Sequence, residues 1–222
     1  MTPAALGVIL LGPPGAGKGS EAVLIQERYG IPHISTGDML RQQIRSGSEL
    51  GKLAAAFIEK GHLVPDSVVI DMVIERLSRD DCARGFLLDG FPRSIAQAQA
   101  LDEAGVAITH VILLEVDDEL LITRISGRRT CPDCGRVYNV VTGPSRDGVH
   151  CDACREAVLT VRADDSVDTV RSRLQEYAAT TAPLIGYYRE RGLLRAVEGS
   201  GTPLEVFVRI KEVLGVEGLS EE

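Results

Sequence analysis

The 222-residue sequence contains no apolar run as long as a membrane-spanning helix needs. Its N-terminal apolar segment ends at Leu11 in a glycine-rich loop, and no charged region precedes it, so a secretory leader is not expected. Internal repeats and low-complexity segments are missing as well. We therefore expect a cytoplasmic protein with no membrane partner.

The sequence also lacks a surplus of basic residues, since its net charge is -8 at pH 7. Proteins that bind nucleic acid usually carry a basic surface patch, so this balance argues against such a partner. Lysine is scarce, with four lysines against twenty arginines. Arginine suits bidentate contacts to phosphate, but a GC-rich genome would give the same bias. The arginine count alone is therefore no evidence for phosphate binding.

Cysteine is rare, yet four of the five cysteines fall in two pairs. Cys131 and Cys134 are followed, after 16 intervening residues, by Cys151 and Cys154. This C-x2-C-x16-C-x2-C spacing lets two tight turns supply four thiolates to one tetrahedral ion. In a cytoplasmic chain it favours a metal over disulfides; we expect zinc, with iron as the alternative, in a structural site. Cys82 is left over and is expected in the core.

The clearest motif lies between Leu11 and Ser20, which reads LGPPGAGKGS directly after an apolar run. It predicts a strand that leads into a glycine-rich loop around the phosphates of a nucleoside triphosphate. The backbone N–H groups of the loop and the amino end of the next helix would bind the anion, and Lys18 adds a positive charge. The usual pattern places Ser or Thr directly after the lysine, whereas here Gly19 intervenes, so this is a variant. The alternative is a turn-rich loop without a ligand.

Short apolar runs alternate with helical patterns along the chain, which is typical of a parallel sheet with helices on both faces. The expected strands are Ala5–Leu11, Pro32–Ser35, Gly85–Asp89, His110–Val116 and Leu193–Val197. The expected helices are Ser20–Tyr29, Thr36–Ser46, Pro65–Arg79, Ile95–Ala104, Asp117–Ile125, Ser166–Arg191 and Leu204–Leu214. The predicted fold class is α/β with a five-stranded parallel sheet, and the glycine-rich loop marks the ligand edge of that sheet.

Two stretches interrupt this alternation. Residues 35–64 are helical with glycine breaks, and residues 127–165 are rich in Gly, Pro and Cys. We interpret both as insertions at the ligand edge of a core formed by residues 1–34, 65–126 and 166–222. A segment of about forty residues cannot build its own apolar core, so the metal would supply the stability of the second insertion.

Two further segments carry polar residues at the ends of predicted strands. Ser35 to Asp38 can cap a new helix, which places Arg41 near its first turn. Asp89 ends a buried strand beside the glycine-rich loop, where Mg²⁺ would be held directly or through water, and Arg93 follows. The simpler interpretations are a helix cap for the first segment and a turn for the second.

Arginines also gather around the second insertion. Arg124 and Arg128 are four residues apart and are expected on one face of a helix. Arg129 comes next, and Arg162, Arg171 and Arg173 lie near the end of the insertion. A solvated surface charge is the simpler interpretation of each one alone. Their grouping favours contacts to a transferring phosphoryl group, whose charge spreads over its oxygens.

Taken together, these residues resemble the bacterial adenylate kinases of the long form, which have a zinc-bearing lid, over nearly the whole chain. The strings that carry the resemblance are GPPGAGKGS, ISTGDMLR, GFLLDGFPRS, RISGRRTCPDCG, CDAC, RADD and APLIGYY. The resemblance implies the reaction ATP + AMP ⇌ 2 ADP with Mg²⁺ in a monomer. It also implies the fold of a P-loop nucleoside monophosphate kinase, with an AMP-binding lobe at 35–64 and a zinc-binding lid at 127–165.

The resemblance further implies roles for individual residues. The catalytic group would be Lys18, Arg93, Arg128, Arg162 and Arg173. ATP would contact Gly15, Ala16, Gly17, Lys18, Gly19, Ser20, Arg124, Arg128, Val137, Tyr138 and Gly201. AMP would contact Thr36, Arg41, His62, Leu63, Val64, Gly90, Phe91, Pro92, Arg93, Gln97, Arg162 and Arg173. Asp89 would organise Mg²⁺ through water, and Asp164 and Asp165 would be hinge residues of the lid.

Two other functions fit parts of the sequence. Another nucleoside monophosphate kinase, acting on GMP, UMP or CMP, would share the loop and the arginines, although Thr36 and Gln97 suit adenine. A zinc-ribbon regulator that binds nucleic acid and keeps a vestigial P-loop is the second alternative. Gly201 stands where some relatives carry lysine, so the choice between ATP and GTP as donor stays open.

Overall fold

A parallel β-sheet forms the centre of the computed structural model, which describes residues 5–215. The strands are β1 (Leu6–Leu11), β2 (His33–Ser35), β3 (Gly85–Asp89), β4 (His110–Glu115), β5 (Arg128–Thr130), β6 (Val137–Asn139) and β7 (Leu194–Glu198). Five of them form one sheet in the order β2-β3-β1-β4-β7, and every neighbouring pair is parallel. The predicted α/β fold class is confirmed, and the ends of each predicted strand are correct to within one residue.

Helices connect these strands. They are α1 (Lys18–Tyr29), α2 (Thr36–Ser46), α3 (Glu49–Ile58), α4 (Asp66–Leu77), α5 (Ile95–Glu103), α6 (Asp118–Ser126), α7 (Val167–Glu176), α8 (Pro183–Glu190) and α9 (Pro203–Leu214). The predicted cap of α2 is present, since the Asp38 N–H donates to the Ser35 hydroxyl. Between α7 and α8 the chain forms a π-helical turn, Tyr177–Thr181. Pro183 has no N–H to donate to the preceding turn, so the single helix predicted there is interrupted.

The apolar core lies on both faces of the sheet, because alternate residues of each strand point to opposite sides. Val8 and Leu10 of β1 pack in one buried cluster with residues of α1 and α9. Ile9 and Leu11 pack in the other with residues of α4, α5 and α8. Cys82 is buried in this second cluster, as the sequence predicted. The sheet is therefore held rigidly, and its carboxyl edge is a fixed platform for the loops that follow.

Strands β5 and β6 form a separate antiparallel pair after α6. Here the prediction that Arg124 and Arg128 share a helical face was wrong, since α6 ends at Ser126 and Arg128 begins β5. The residues after β5 explain the end of the helix. The Asn139 side chain donates to the carbonyl of Arg124, and the Val140 N–H donates to the carbonyl of Gly127. These two carbonyls would accept N–H groups of the next helical turn if α6 continued, but they accept instead from residues outside the helix.

The division into a core and two insertions stays a prediction. Residues 36–58 contain α2 and α3, which pack against each other, and residues 128–139 contain β5 and β6. Residues 1–4 and 216–222, which the sequence analysis assigned to the core, lie outside the described residues. Within the described part of the chain, every helix is too short or too polar to cross a membrane.

Candidate active site

A cleft that encloses about 320 Å³ opens at the carboxyl ends of the parallel strands, and we call it the larger cleft. A smaller cleft of about 70 Å³ lies beside it, between the start of α2 and the start of α5. The two clefts share part of their lining, and the shared residues include Arg93, Arg162 and Arg173. The two cavities therefore meet at a group of arginines.

The loop between β1 and α1 lines the larger cleft. Gly15 has a φ of +87°, and a Cβ atom there would lie 2.8 Å from the Ile125 side chain, so only glycine fits. α1 begins at Lys18, two residues earlier than predicted, which directs the positive end of its dipole at the loop. The Lys18 ammonium donates to the carbonyls of Gly12 and Pro13 at 2.7 and 2.9 Å. The loop and its lysine thus form one anion-binding unit.

Lys18 lies in a strongly cationic environment. Burial lowers its pKa to about 8; Asp89 opposes this shift, while Arg93 and two further arginines reinforce it. A buried ammonium among guanidinium groups is unfavourable unless an anion joins it. The cleft is therefore built for a ligand with several negative charges.

Asp89 stands at the end of β3, close to the glycine-rich loop. Its carboxylate lies 3.3 Å from Nε2 of His33 and 3.8 Å from the place that a Cβ of Gly19 would occupy. Burial raises the pKa of Asp89, but the hydrogen bond with His33 and the charge of Lys18 outweigh burial and hold that pKa below its usual value. Asp89 is thus ionised, as a group that binds magnesium through water must be.

Three predicted arginines converge on two aspartates. Arg128 is paired with Asp165, and Arg162 donates to Asp164 through two hydrogen bonds of 3.0 Å. Arg173 contacts both carboxylates, at 2.9 Å from Asp164 and 3.4 Å from Asp165. Burial raises the pKa of Asp164, but the neighbouring arginines lower it to about 2. The predicted hinge residues are therefore ion-pair partners that hold the guanidinium groups at the junction of the clefts; their hinge role stays a prediction.

Arg124 connects two loops at the far end of the larger cleft. It donates to the carbonyl of Ala16 at 3.3 Å and to the carbonyl of Gly201 at 3.2 Å. A Cβ at Gly201 would lie 2.6 Å from the Glu205 carboxylate, which closes a capping box with Thr202. The capping box therefore favours glycine at this position.

The smaller cleft is lined by polar groups that are already engaged with neighbours. The hydroxyl of Thr36 donates to the carbonyl of Gly90 at 2.8 Å. Arg41 is paired with Asp38 at 2.6 Å. Gln97 is 2% exposed, and its amide oxygen accepts from the Arg93 N–H at 2.7 Å. These contacts fix the lining before any ligand is bound.

Most of the predicted nucleotide contacts line one of the two clefts. Phe91 is the exception, because its side chain is buried in the apolar core. The residues that do line a cleft are Gly15, Ala16, Gly17, Lys18, Gly19, Ser20, Thr36, Arg41, His62, Leu63, Val64, Gly90, Pro92, Arg93, Gln97, Arg124, Arg128, Val137, Tyr138, Arg162, Arg173 and Gly201.

The sequence analysis missed several residues at or beside the site. They include His33, Asp66 and Thr181, whose contacts span distant parts of the chain. Glu21 is also buried, and its Oε2 has no hydrogen-bond partner among the described residues. Burial raises the pKa of Glu21 to about 8, and the charge of Arg124 opposes this shift. For Glu21 the sequence offers one signal, namely a glutamate on the otherwise apolar buried face of α1.

The four paired cysteines come together at one place. Their sulfur atoms all lie within 4.8 Å of one another. The two pairs have matching turns, since the Gly135 N–H donates to the carbonyl of Cys131 and the Arg155 N–H donates to the carbonyl of Cys151. Four thiolates in this arrangement could bind one tetrahedral metal ion, and their soft sulfur ligands suit zinc.

Comparison with known proteins gives a consistent result. A family model for adenylate kinase matches residues 10–193. An adenylate kinase of Thermoanaerobacter sp. (strain X514) is 49% identical over 215 residues, which cover 95% of this chain and 99% of the relative. An adenylate kinase of Anaeromyxobacter sp. (strain Fw109-5) is 51% identical over 211 residues, covering 93% of this chain and 98% of the relative.

Proposed function

The chain belongs to the adenylate kinase family, and from this premise we propose how its residues carry out the reaction. The reaction is the reversible transfer of a phosphoryl group from ATP to AMP, which gives two ADP. We assign ATP to the larger cleft and AMP to the smaller one. The observation that supports this assignment is the junction of the two clefts at Arg93, Arg162 and Arg173.

The donor phosphates bind in the glycine-rich loop. Backbone N–H groups from Gly15 to Ser20 surround them, and the Lys18 ammonium follows the transferring group. Arg124 lies beside the adenine together with Gly201, while Val137 and Tyr138 approach the donor from the lid. These contacts use lining residues of the larger cleft.

The acceptor binds between α2 and α5. Thr36, Gln97 and the segment 62–64 surround the adenosine, and Arg41 and Arg93 contact the phosphate. These groups line the smaller cleft. The arrangement orients the AMP phosphate toward the junction, where its oxygen can attack the γ-phosphorus of ATP.

No side chain is needed as a covalent nucleophile, because the AMP phosphate itself attacks. Catalysis consists of aligning the two nucleotides in line and neutralising charge on the transferring oxygens. Lys18, Arg128, Arg162 and Arg173 supply that charge. Asp89 would hold Mg²⁺ through water, and the ion, when bound, neutralises the outer phosphates of ATP. Closure of the lid excludes water and thereby prevents hydrolysis.

The four cysteines hold zinc in this proposal, and the zinc ion stabilises the lid without taking part in the reaction. The same cluster was the basis of the zinc-ribbon alternative, but the net charge of -8 favours no nucleic-acid partner. A monomer in the cytoplasm completes the proposal.

The test is a coupled assay of ADP formation from MgATP with AMP, GMP, UMP or CMP, on protein of known zinc content. We expect turnover with AMP and at most weak turnover with the other three. Preferred turnover with GMP, UMP or CMP would overturn the assignment of the smaller cleft. Folded, zinc-loaded protein that is inactive with all four but binds DNA or RNA with a steep salt dependence would overturn the proposal.

A further inference from the structure

We propose that Asp66 determines which acceptor base is bound, because it holds the side-chain amide of Gln97 in one orientation. Asp66 is the first residue of α4 and lies 31 positions before Gln97 in the sequence. The inference rests on the proposed function, in which Gln97 contacts the base of AMP.

The amide of Gln97 is held from two sides. Its oxygen accepts from the backbone N–H of Arg93 at 2.7 Å, and its nitrogen donates to Oδ1 of Asp66 at 2.7 Å. A backbone N–H can only donate, and a carboxylate can only accept. Rotating the amide by 180° would place two donors face to face at Arg93 and two acceptors face to face at Asp66. The surroundings therefore permit one orientation.

Both partners of the amide are themselves fixed. The Ser94 hydroxyl donates to Oδ2 of Asp66 at 2.6 Å and also accepts from the N–H of Gln97 as the cap of α5. The carbonyl of Arg93 accepts from the Thr181 hydroxyl at 2.9 Å. Neither Asp66 nor the Arg93 backbone can move without breaking further hydrogen bonds, so the orientation of Gln97 is set before a ligand arrives.

The amide keeps one oxygen lone pair and one N–H for a ligand. On its Watson–Crick edge, adenine offers an amino group beside a ring nitrogen that accepts, whereas guanine and hypoxanthine offer a carbonyl beside a ring N–H. An amide in one orientation matches only one of these patterns. Gln97 lines the smaller cleft with Thr36 and Val64, so its fixed amide discriminates adenine from 6-oxopurines.

The test compares AMP with IMP, because hypoxanthine differs from adenine at this edge without adding the amino group of guanine. We measure kcat/KM for each acceptor at saturating MgATP in wild type and Asp66→Ala. Without its acceptor the amide is free to turn, and the AMP/IMP ratio should fall by about tenfold or more, which corresponds to one hydrogen bond. Asp71→Ala removes an exposed acid from the same helix, and it should leave the ratio unchanged.

A double-mutant cycle shows whether Asp66 acts through Gln97. Gln97→Leu should lower the AMP/IMP ratio strongly, and adding Asp66→Ala to it should change the ratio no further. Equal loss of kcat/KM for both acceptors in Asp66→Ala, with an unchanged ratio, would mean a merely structural role and would overturn the inference. An additional fall of the ratio in the double variant would do the same.

Two measurements keep these outcomes interpretable. If Asp66→Ala does not fold, Asp66→Leu keeps the volume of the side chain but also lacks an acceptor for the Gln97 amide, and it should shift the ratio in the same direction; an unchanged ratio there would contradict the inference. Calorimetric Kd values for AMP and IMP give the same comparison without catalysis. If wild type fails to phosphorylate AMP, the proposed function is wrong, whereas normal turnover with an unchanged ratio in the variants refutes only the role of Asp66.

Discussion

Around the parallel sheet, apolar side chains are buried in two large clusters, one on each face. In the four-cysteine segment, by contrast, the buried cluster has four members, and two of these are Cys131 and Cys151. The first region is stabilised by apolar burial, which needs no ligand. The second has little apolar surface to bury, so we expect its fold to depend on a bound metal ion.

The two regions also differ in what they bring to the reaction. The sheet and α1 place Lys18 and Asp89 on rigid elements, close to the glycine-rich loop. The segment around the cysteines presents Arg128, Val137 and Tyr138 to the same cleft from the other side. In the proposed function, the region around the sheet therefore supplies the groups that must be fixed in position, and the cysteine-containing segment encloses the substrate.

The largest effect on turnover should come from the region around the sheet, with the substitution Lys18→Ala in α1. We expect turnover to fall by about 10²–10³-fold, because a preorganised charge on the transferring phosphoryl group is lost. Thermal stability should not fall, since burial lowers the pKa of Lys18 to about 8 and its charge is unfavourable in the empty cleft. A coupled ADP assay and a melting curve measure the two quantities. Lys52→Ala, at an exposed lysine, is the control, and turnover of Lys18→Ala within a few-fold of wild type would refute the mechanism.

The second largest effect should come from the four-cysteine segment, on Cys151→Ser or on removal of zinc. We expect an early unfolding transition of the lid while the sheet stays folded, and turnover lower by about tenfold or more because closure fails. Limited proteolysis, a melting curve and the zinc content report on these changes. Full activity and an unchanged melting curve after verified metal loss would show that the lid does not need the ion.

A smaller effect, on the pH dependence of stability, is expected at Glu21 on α1, beside the sheet. The folded protein binds a proton at Glu21 more tightly than the unfolded chain, because burial raises its pKa from 4.5 to about 8. The free energy of unfolding should therefore fall as the pH rises from about 4.5 to about 8. Glu21→Gln cannot ionise, so above pH 8 it should be more stable than wild type by about 1 kcal/mol or more.

Urea titrations of wild type and Glu21→Gln at pH 5 and pH 9 provide the measurement. The advantage of the variant should be present at pH 9 and small at pH 5. An equal difference at both pH values would show that Glu21 does not titrate in this range.

The smallest effect should come from Cys82→Ala, which sharpens the comparison between a core cysteine and the metal ligands. Cys82 is 7% exposed and packs in the apolar core. Removing its sulfur should lower the free energy of unfolding by about 1 kcal/mol and leave the zinc content and turnover unchanged. Chemical denaturation and metal analysis provide the test, and a loss of zinc would contradict the separation of the two regions.

Much of the fold could be predicted because its signals are local. The strands are apolar runs bounded by polar residues, so their limits follow from the pattern alone, as at Gly85–Asp89. The glycine-rich loop and the cysteine pairs are equally local, since their spacing is set by the ligand geometry. These local features predict the ligand edge of the sheet and the meeting of the four cysteines, and the structure has both.

The remaining features depend on contacts between distant parts of the chain. The Asn139 side chain donates to the carbonyl of Arg124 and so joins β6 to α6, a contact that no local pattern predicts. The contact of Asp66 with Gln97 spans two helices, and that of Thr181 with Arg93 spans 88 positions. Such pairs arise only once the sheet has brought the helices together, so the fine positioning of the site could not be predicted.

The two segments that flank the cysteine pairs have a topological consequence. The segment before the cysteines and the one after them run side by side, since Thr130 and Thr160 exchange backbone hydrogen bonds of 2.8 and 2.9 Å and Arg128 is paired with Asp165. Residues 131–159 thus leave and return at adjacent points in space. We therefore expect that this stretch can change in length or sequence, or be exchanged by recombination, while the sheet keeps its sequence.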